Sequence, residues 1–233
     1  MAKPLPVLLI PGLNCSARLY AEQIPALWRF GPVQVADHTR ASSMDLVAAQ
    51  ILAVAPPRFA LAGLSMGGYL ALTIVRLAPE RVQKLALLDS SARPETSAQS
   101  ERRKPQIALA ESGRFAEVPA LQFPWFVHRS RQGDEALRAR VRRMAEETGA
   151  EVFLRQQQAI MTRPDARPLL PSIKCPTLVL VGDGDELTPP ALSEEIAAGV
   201  AGSRLVVIPE CGHLSTMEQP DAVNSALVEW MEG

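Results

Sequence analysis

Along most of the chain, short continuous apolar runs alternate with stretches of helical period. Residues 5–12, "LPVLLIPG", are an apolar run closed by Pro-Gly, the pattern of a buried strand with a turn after it. Residues 17–28, "ARLYAEQIPALW", predict an amphipathic helical segment, with Pro25 as a break. Residues 33–38 predict a second strand. A helix follows over 43–55, capped by Ser42 or Ser43 and stopped by Pro56-Pro57. "RFALAG" (58–63) predicts a third strand. "GGYLALTIVRLAP" (67–79) predicts a helix that is apolar nearly all round and therefore buried. "KLALLD" (84–89) predicts a fourth strand.

The rhythm then breaks. From 90 to 171 no strand pattern occurs, and Arg, Glu and Gln are dense. Leu137, Val141 and Met144 form a one-sided stripe, so this region reads as several short helices. Alternation resumes with a fifth strand at 176–182, a helix at 189–200 and a sixth strand at 204–210. The last helix, 219–233, carries Val223, Leu227 and Trp230 on one face. Strands alternating with helices predict an α/β fold: a doubly wound, mostly parallel six-stranded sheet covered on both faces. A long stretch between the fourth and fifth strands predicts a helical subdomain rather than a loop. The expected division is a core in two parts, 1–93 and 171–233, with a helical cap insertion at 94–170.

Bulk properties narrow the classes of function. The chain has 233 residues, 47% of them hydrophobic, enough for a substantial core. Charged residues are 21% and the net charge is −1, so no global field favours nucleic acid or an anionic membrane. No run approaches the ~20 apolar residues of a membrane span. The 3 cysteines, Cys15, Cys175 and Cys211, form neither a close pair nor a secreted disulfide framework, and a reducing cytoplasm is the expected compartment.

One short stretch carries chemistry. "GLSMGG" sets Ser65 between a predicted strand and a predicted helix, with Gly63 and Gly67 two residues to either side. That is the G-x-S-x-G nucleophile elbow in the context that gives it meaning. A serine hydroxyl needs a base. Of the three histidines, His38 precedes the elbow and His128 lies in the insertion. His213 follows the sixth strand, on the side of a parallel sheet where active sites form. The histidine needs an acid to orient it. "VGDGDELTPP" after the fifth strand offers Asp183, Asp185 and Glu186, and Asp89 after the fourth strand is an alternative. For an oxyanion hole, the Met66 N–H lies at a helix N-terminus. With the sheet order 2-1-3-4-5-6, the loop after the first strand faces the elbow across the switch point, and Leu13 would supply the second N–H.

Taken together, "GLSMGG", "VGDGDELTPP" and "CGHLSTMEQP" resemble the α/β-hydrolase superfamily, specifically its small serine hydrolases with a helical cap. The resemblance covers nearly the whole chain. It implies the triad Ser65, Asp185 and His213, in the superfamily's chain order. It also implies Leu13 and Met66 as oxyanion-hole donors, Glu218 as a structural residue of the histidine loop, and no metal or cofactor. Two departures stand out. Pro11-Gly12 replaces the His-Gly of many relatives, and the chain starts where many relatives have their third strand, so the first hairpin is expected to be missing.

The activity implied is hydrolysis of small-molecule carboxylic esters through an acyl-enzyme on Ser65. Alternatives within reach of the same residues are a lactonase, a lyase that uses the triad as a proton relay, or a ligand-binding protein on a hydrolase scaffold. Phe123, Trp125 and Phe126 lie within four positions of the cap and could wall an acyl pocket, or be the cap's own core. Arg138, Arg140, Arg142 and Arg143 could hold an anionic group, or be a solvated face partnered by glutamates.

Overall fold

The computed structural model describes residues 4–233. Six strands form one sheet in the order β2-β1-β3-β4-β5-β6. They are β1 (Val7–Ile10), β2 (Val33–Val35), β3 (Phe59–Leu64), β4 (Val82–Leu88), β5 (Thr177–Gly182) and β6 (Arg204–Ile208). Every neighbouring pair is parallel, so the mostly parallel sheet expected is parallel throughout. The second strand is shorter than the 33–38 expected: it pairs with β1 over Val33–Val35.

Helices cover both faces because the strands are apolar on both. On one face Val7, Leu9, Ala60, Ala62, Leu178 and Leu180 pack with α1 (Gln23–Leu27) and the last helix, α9 (Pro220–Glu232). The alternate residues, Leu8, Ile10, Phe59, Leu61 and Val179, pack with α2 (Met44–Val54), α3 (Met66–Leu77) and α8 (Pro190–Gly199) on the other. This is the period-two alternation of a strand with an apolar residue at every position. α3 is buried from Met66 to Val75, as its all-round apolar sequence requires.

Between β4 and β5 the chain forms α4 (Ser97–Glu111), α5 (Val118–Phe126), α6 (Glu135–Thr148) and α7 (Ala150–Met161). Thr96 and Gln99 start α4 with a reciprocal capping box. The apolar stripe Leu137, Val141 and Met144 of α6 joins Phe123 and Phe126 of α5 in the same cluster as the sheet. These helices are therefore continuous with the main core. Among the described residues no helix is long and apolar enough to cross a membrane.

Chain order reverses at β1, with β2 on one side and β3 on the other. The loops leaving β1 and β3 consequently flank one crevice at the carboxyl edge of the sheet. Ligand sites of open parallel sheets form at that switch point.

Candidate active site

β3 runs into α3 through Ser65 alone, at φ 57° and ψ −115°. A side chain held there is strained by about 1–3 kcal/mol. The surroundings fix it: the Ser65 N–H donates to Leu88 O at 2.9 Å, and Ser65 O accepts from Gly68 N and the Ser90 hydroxyl, both at 2.9 Å. The turn is possible only with glycine at its flanks. A Cβ on Gly63 would lie 2.1 Å from Gly67 O, and one on Gly67 would lie 2.0 Å from Ile10 O.

Ser65 and His213 line one cavity of about 330 Å³, within the usual range for small-ligand sites. His213 is nearly fully buried, and its Nδ1 lies 2.8 Å from Asp185 Oδ2. Asp185 also accepts from the Leu187 and Thr188 N–H groups at 2.8 and 2.9 Å, and from the Thr188 hydroxyl at 2.6 Å. A carboxylate can only accept, so Nδ1 carries the proton and Nε2 is left to exchange one with a group in the cavity. Burial alone would lower the His213 pKa. The charge and hydrogen bond of Asp185, with Asp89 and Glu218 behind it, outweigh burial and raise it.

Of the four acids that the sequence left open, Asp185 is the one bonded to His213. Asp183 is exposed, with Oδ1 accepting from Cys211 N at 3.2 Å, and Glu186 is exposed. Asp89 is fully buried at φ 45°; it accepts from Gly182 N at 3.0 Å and from the Ser215 hydroxyl. Burial, then the charge of Asp185, pushes the Asp89 carboxyl well above the usual range. Asp89 thereby ties the end of β4 to the segment that follows His213. Glu218 holds the other side of that loop, accepting from Gly212 N at 3.1 Å, Leu214 N at 3.3 Å and His128 N at 2.7 Å.

Leu13 lines the cavity, in the loop after β1. Among the described residues neither its N–H nor that of Met66 donates to a backbone or side-chain acceptor. Met66 opens α3, so its N–H has no partner within the helix. A polarised oxygen at Ser65 could therefore draw on donors from both sides of the crevice.

The loop carrying Leu13 is braced in ways that the sequence did not signal. His38 Nε2 lies 3.1 Å from Gly12 O. Burial holds the His38 imidazole below its ordinary pKa, so the neutral ring donates to that carbonyl. Asn14, at φ 60°, donates from its backbone to Gln156 Oε1 at 2.9 Å and from its side chain to Gln122 Oε1 at 3.1 Å. These links join residues 26 to 142 positions apart, which no local pattern can reveal.

The three cap aromatics part company. Trp125 and Phe126 line the cavity. Phe123 does not: it is fully buried in the core, with the Arg138 guanidinium 4.7 Å above its ring. Its place in the expected pocket wall is corrected, because the α5 face that meets α6 buries it. Arg138, Arg140, Arg142 and Arg143 each sit beside a glutamate, at 3.0 to 3.9 Å, on a solvated face. Cys15 is buried, its thiol pushed up to about 12 by burial, and Cys211 is shifted upward for the same reason. Both are packing residues by these criteria. Among the described residues no group of three or more His, Cys, Asp or Glu side chains could hold a metal ion.

Known proteins are similar to this chain. A family model described as the Alpha/beta hydrolase family matches residues 7–226. The pimeloyl-[acyl-carrier protein] methyl ester esterase of Neisseria meningitidis serogroup C is 26% identical over 243 residues, which cover 97% of this chain and 93% of that protein. A thermophilic esterase from Thermogutta terrifontis, solved with malate bound, is 30% identical, with a TM-score of 0.87 over 98% of this chain and 89% of its own. The enol-lactonase of Burkholderia xenovorans LB400 shares the fold at a TM-score of 0.87 and 22% identity, over 100% and 93% of the two chains. A family match spanning nearly every described element, over a sheet and elbow of this geometry, means that the chain belongs to the alpha/beta hydrolase family.

Proposed function

We propose that the protein is a serine hydrolase of small-molecule carboxylic esters. The observation that carries this reading is the Ser65 turn opening onto the cavity that also holds His213, with His213 Nδ1 bonded to Asp185. Ser65 attacks the ester carbonyl while His213 Nε2 takes its proton. The Leu13 and Met66 N–H groups receive the oxyanion. The tetrahedral intermediate collapses, His213 returns the proton to the leaving alcohol, and an acyl-enzyme remains on Ser65. Water, activated by the same imidazole, then releases the acid. Asp185 holds the imidazole in the tautomer that this sequence needs.

Residues 94–170 act as the cap in this reading. They supply the outer wall of the cavity through α4 and α5, while the proposed chemistry stays on the loops that leave β1, β3, β5 and β6. A lactone is an ester with both ends in one molecule, and the same steps would open it. The esterase names of relatives at 26 and 30% identity support ester cleavage over the lyase and binding-protein alternatives.

The test is labelling by a fluorophosphonate, followed by turnover of short p-nitrophenyl esters and a lactone panel. The expected result is a single adduct on Ser65 together with ester turnover. A labelled serine without turnover of any ester or lactone would overturn the reading.

A further inference from the structure

One wall of the Ser65 cavity is chemically unlike the rest. Gln99, Arg102, Arg103 and Gln106 of α4 all line it. Their spacing, i, i+3, i+4 and i+7, is a single stripe of a helix. The stripe of a helix that lines a cavity is ordinarily apolar; here it is polar and cationic, with Arg102 itself exposed to solvent. No Asp or Glu lines the cavity among the described residues.

The hydrogen bonds of this wall leave it rich in donors. Gln99 Oε1 accepts from Thr96 N at 2.9 Å, and Gln106 Oε1 accepts from Gln122 Nε2 at 2.9 Å, and among the described residues neither amide NH₂ has a hydrogen-bond acceptor. Arg103 is already committed. It pairs with Glu95 at 2.6 Å and donates to Gln157 Oε1 at 2.9 Å. Glu95 is shared with the buried Arg163, so one carboxylate serves two guanidinium groups. Arg102 has neither an ion pair nor a hydrogen bond among the described residues. Its guanidinium lies 5.9 Å from the ring centroid of Trp125, which also lines the cavity. The neighbouring Glu101 is exposed and paired with Lys104 at 2.5 Å. An aromatic face orients a guanidinium without neutralising it.

We propose that Arg102 determines specificity, and that the preferred ester carries a carboxylate at the end remote from the scissile bond. Arg102, steadied by Trp125, forms the ion pair, and the Gln99 and Gln106 amides donate to the same oxygens. This assignment rests on the reading of Ser65 as the nucleophile of an ester hydrolase.

The experiment compares kcat/KM for monomethyl succinate, glutarate and adipate with kcat/KM for methyl butanoate, pentanoate and hexanoate. The wild type should prefer the charged member of at least one pair. Arg102→Gln should lower that charged-to-neutral ratio by about tenfold to a hundredfold, mainly through KM, and Arg102→Lys should restore part of it. A wild-type ratio near one at every length, or a ratio unchanged in Arg102→Gln, would overturn the proposal. A second readout needs no turnover: thermal unfolding of Ser65→Ala with succinate, glutarate or adipate. A stabilisation that Arg102→Gln removes supports the anion site, and no stabilisation at any length counts against it. If the wild type cleaves no ester, the hydrolase reading has failed and the thermal shift alone decides the anion site.

Discussion

Asp185 Oδ2 and His213 Nδ1 lie 2.8 Å apart, and every other contact of that carboxylate is an N–H or O–H donor. The pair is held from both sides, by the turn after β5 and by the Glu218-braced loop after β6. Asp185→Asn should lower kcat on p-nitrophenyl acetate by about 10⁴-fold, because an amide can present N–H to Nδ1 and favour the wrong tautomer. Asp183→Asn should cost far less, since Asp183 is exposed and, among the described residues, its carboxylate bonds to the Cys211 N–H and not to His213. Steady-state kinetics on the two variants check this. A mild Asp185→Asn would remove Asp185 from the proposed triad.

The pH profile follows from the same pair. A general base works in its neutral form, so activity should rise as His213 deprotonates. Burial acts to lower its pKa, and the acidic groups around it, Asp185 foremost, more than reverse this. The acid limb of kcat/KM should therefore lie above the ordinary imidazole value of about 6.5. Followed by NMR, the His213 titration should move to lower pH in Asp185→Asn, where burial acts with less opposition. An acid limb at or below about 6.5 would contradict this account of the site's charges.

Much of this architecture is legible in the chain because it is written locally. The apolar runs of β1, β3 and β5 and the all-round apolar α3 read directly as buried strands and a buried helix. The alternation implies a parallel sheet, and the order 2-1-3-4-5-6, supposed for it, puts the loops of Leu13 and Ser65 on one crevice. What was not legible depends on residues far apart in the chain. Nothing near His38 marks it as a donor to Gly12 O, and nothing near Asn14 points to Gln122 and Gln156. Phe123 and Trp125 stand two positions apart in one aromatic cluster, yet only the packing of α5 on α6 decides which is core. The arginines of α6 are conspicuous in the local composition, and of the two readings open to them they take the solvated, glutamate-paired one. Arg102, exposed yet lining the cavity, lies in the segment "SERRKPQ", where no periodicity or motif sets it apart from its charged neighbours.

The glycines of the elbow give a stability prediction independent of activity. Gly67→Ala forces a Cβ against the Ile10 carbonyl. It should lose at least about 1–3 kcal/mol and lower Tm clearly. Gly133→Ala is the control: nothing lies within 4 Å of the added Cβ, and Tm should hold. Equal melting of both variants would mean that the strand–helix crossing is looser than its geometry requires.

Phe123 and Trp125 should separate stability from specificity. Phe123 is fully buried, and Phe123→Ala should cost about 3–5 kcal/mol. Trp125 is 44% exposed and lines the cavity. Trp125→Ala should shift acyl-chain preference by about 1–3 kcal/mol of discrimination, with little change in melting. Thermal unfolding and a p-nitrophenyl ester chain-length series on each variant decide the matter. An unchanged preference with a clear loss of Tm in Trp125→Ala would retire it as a pocket wall.

The central claim is that Ser65 is the nucleophile, raised on a strained turn between β3 and α3. The most direct measurement is kcat for p-nitrophenyl acetate in Ser65→Ala, with its melting temperature taken on the same sample. The account predicts a fall of about 10⁶-fold, the loss expected when a triad nucleophile is removed, in a protein that still melts cooperatively near the wild-type temperature. Turnover within about tenfold of wild type, by a folded variant, would contradict it.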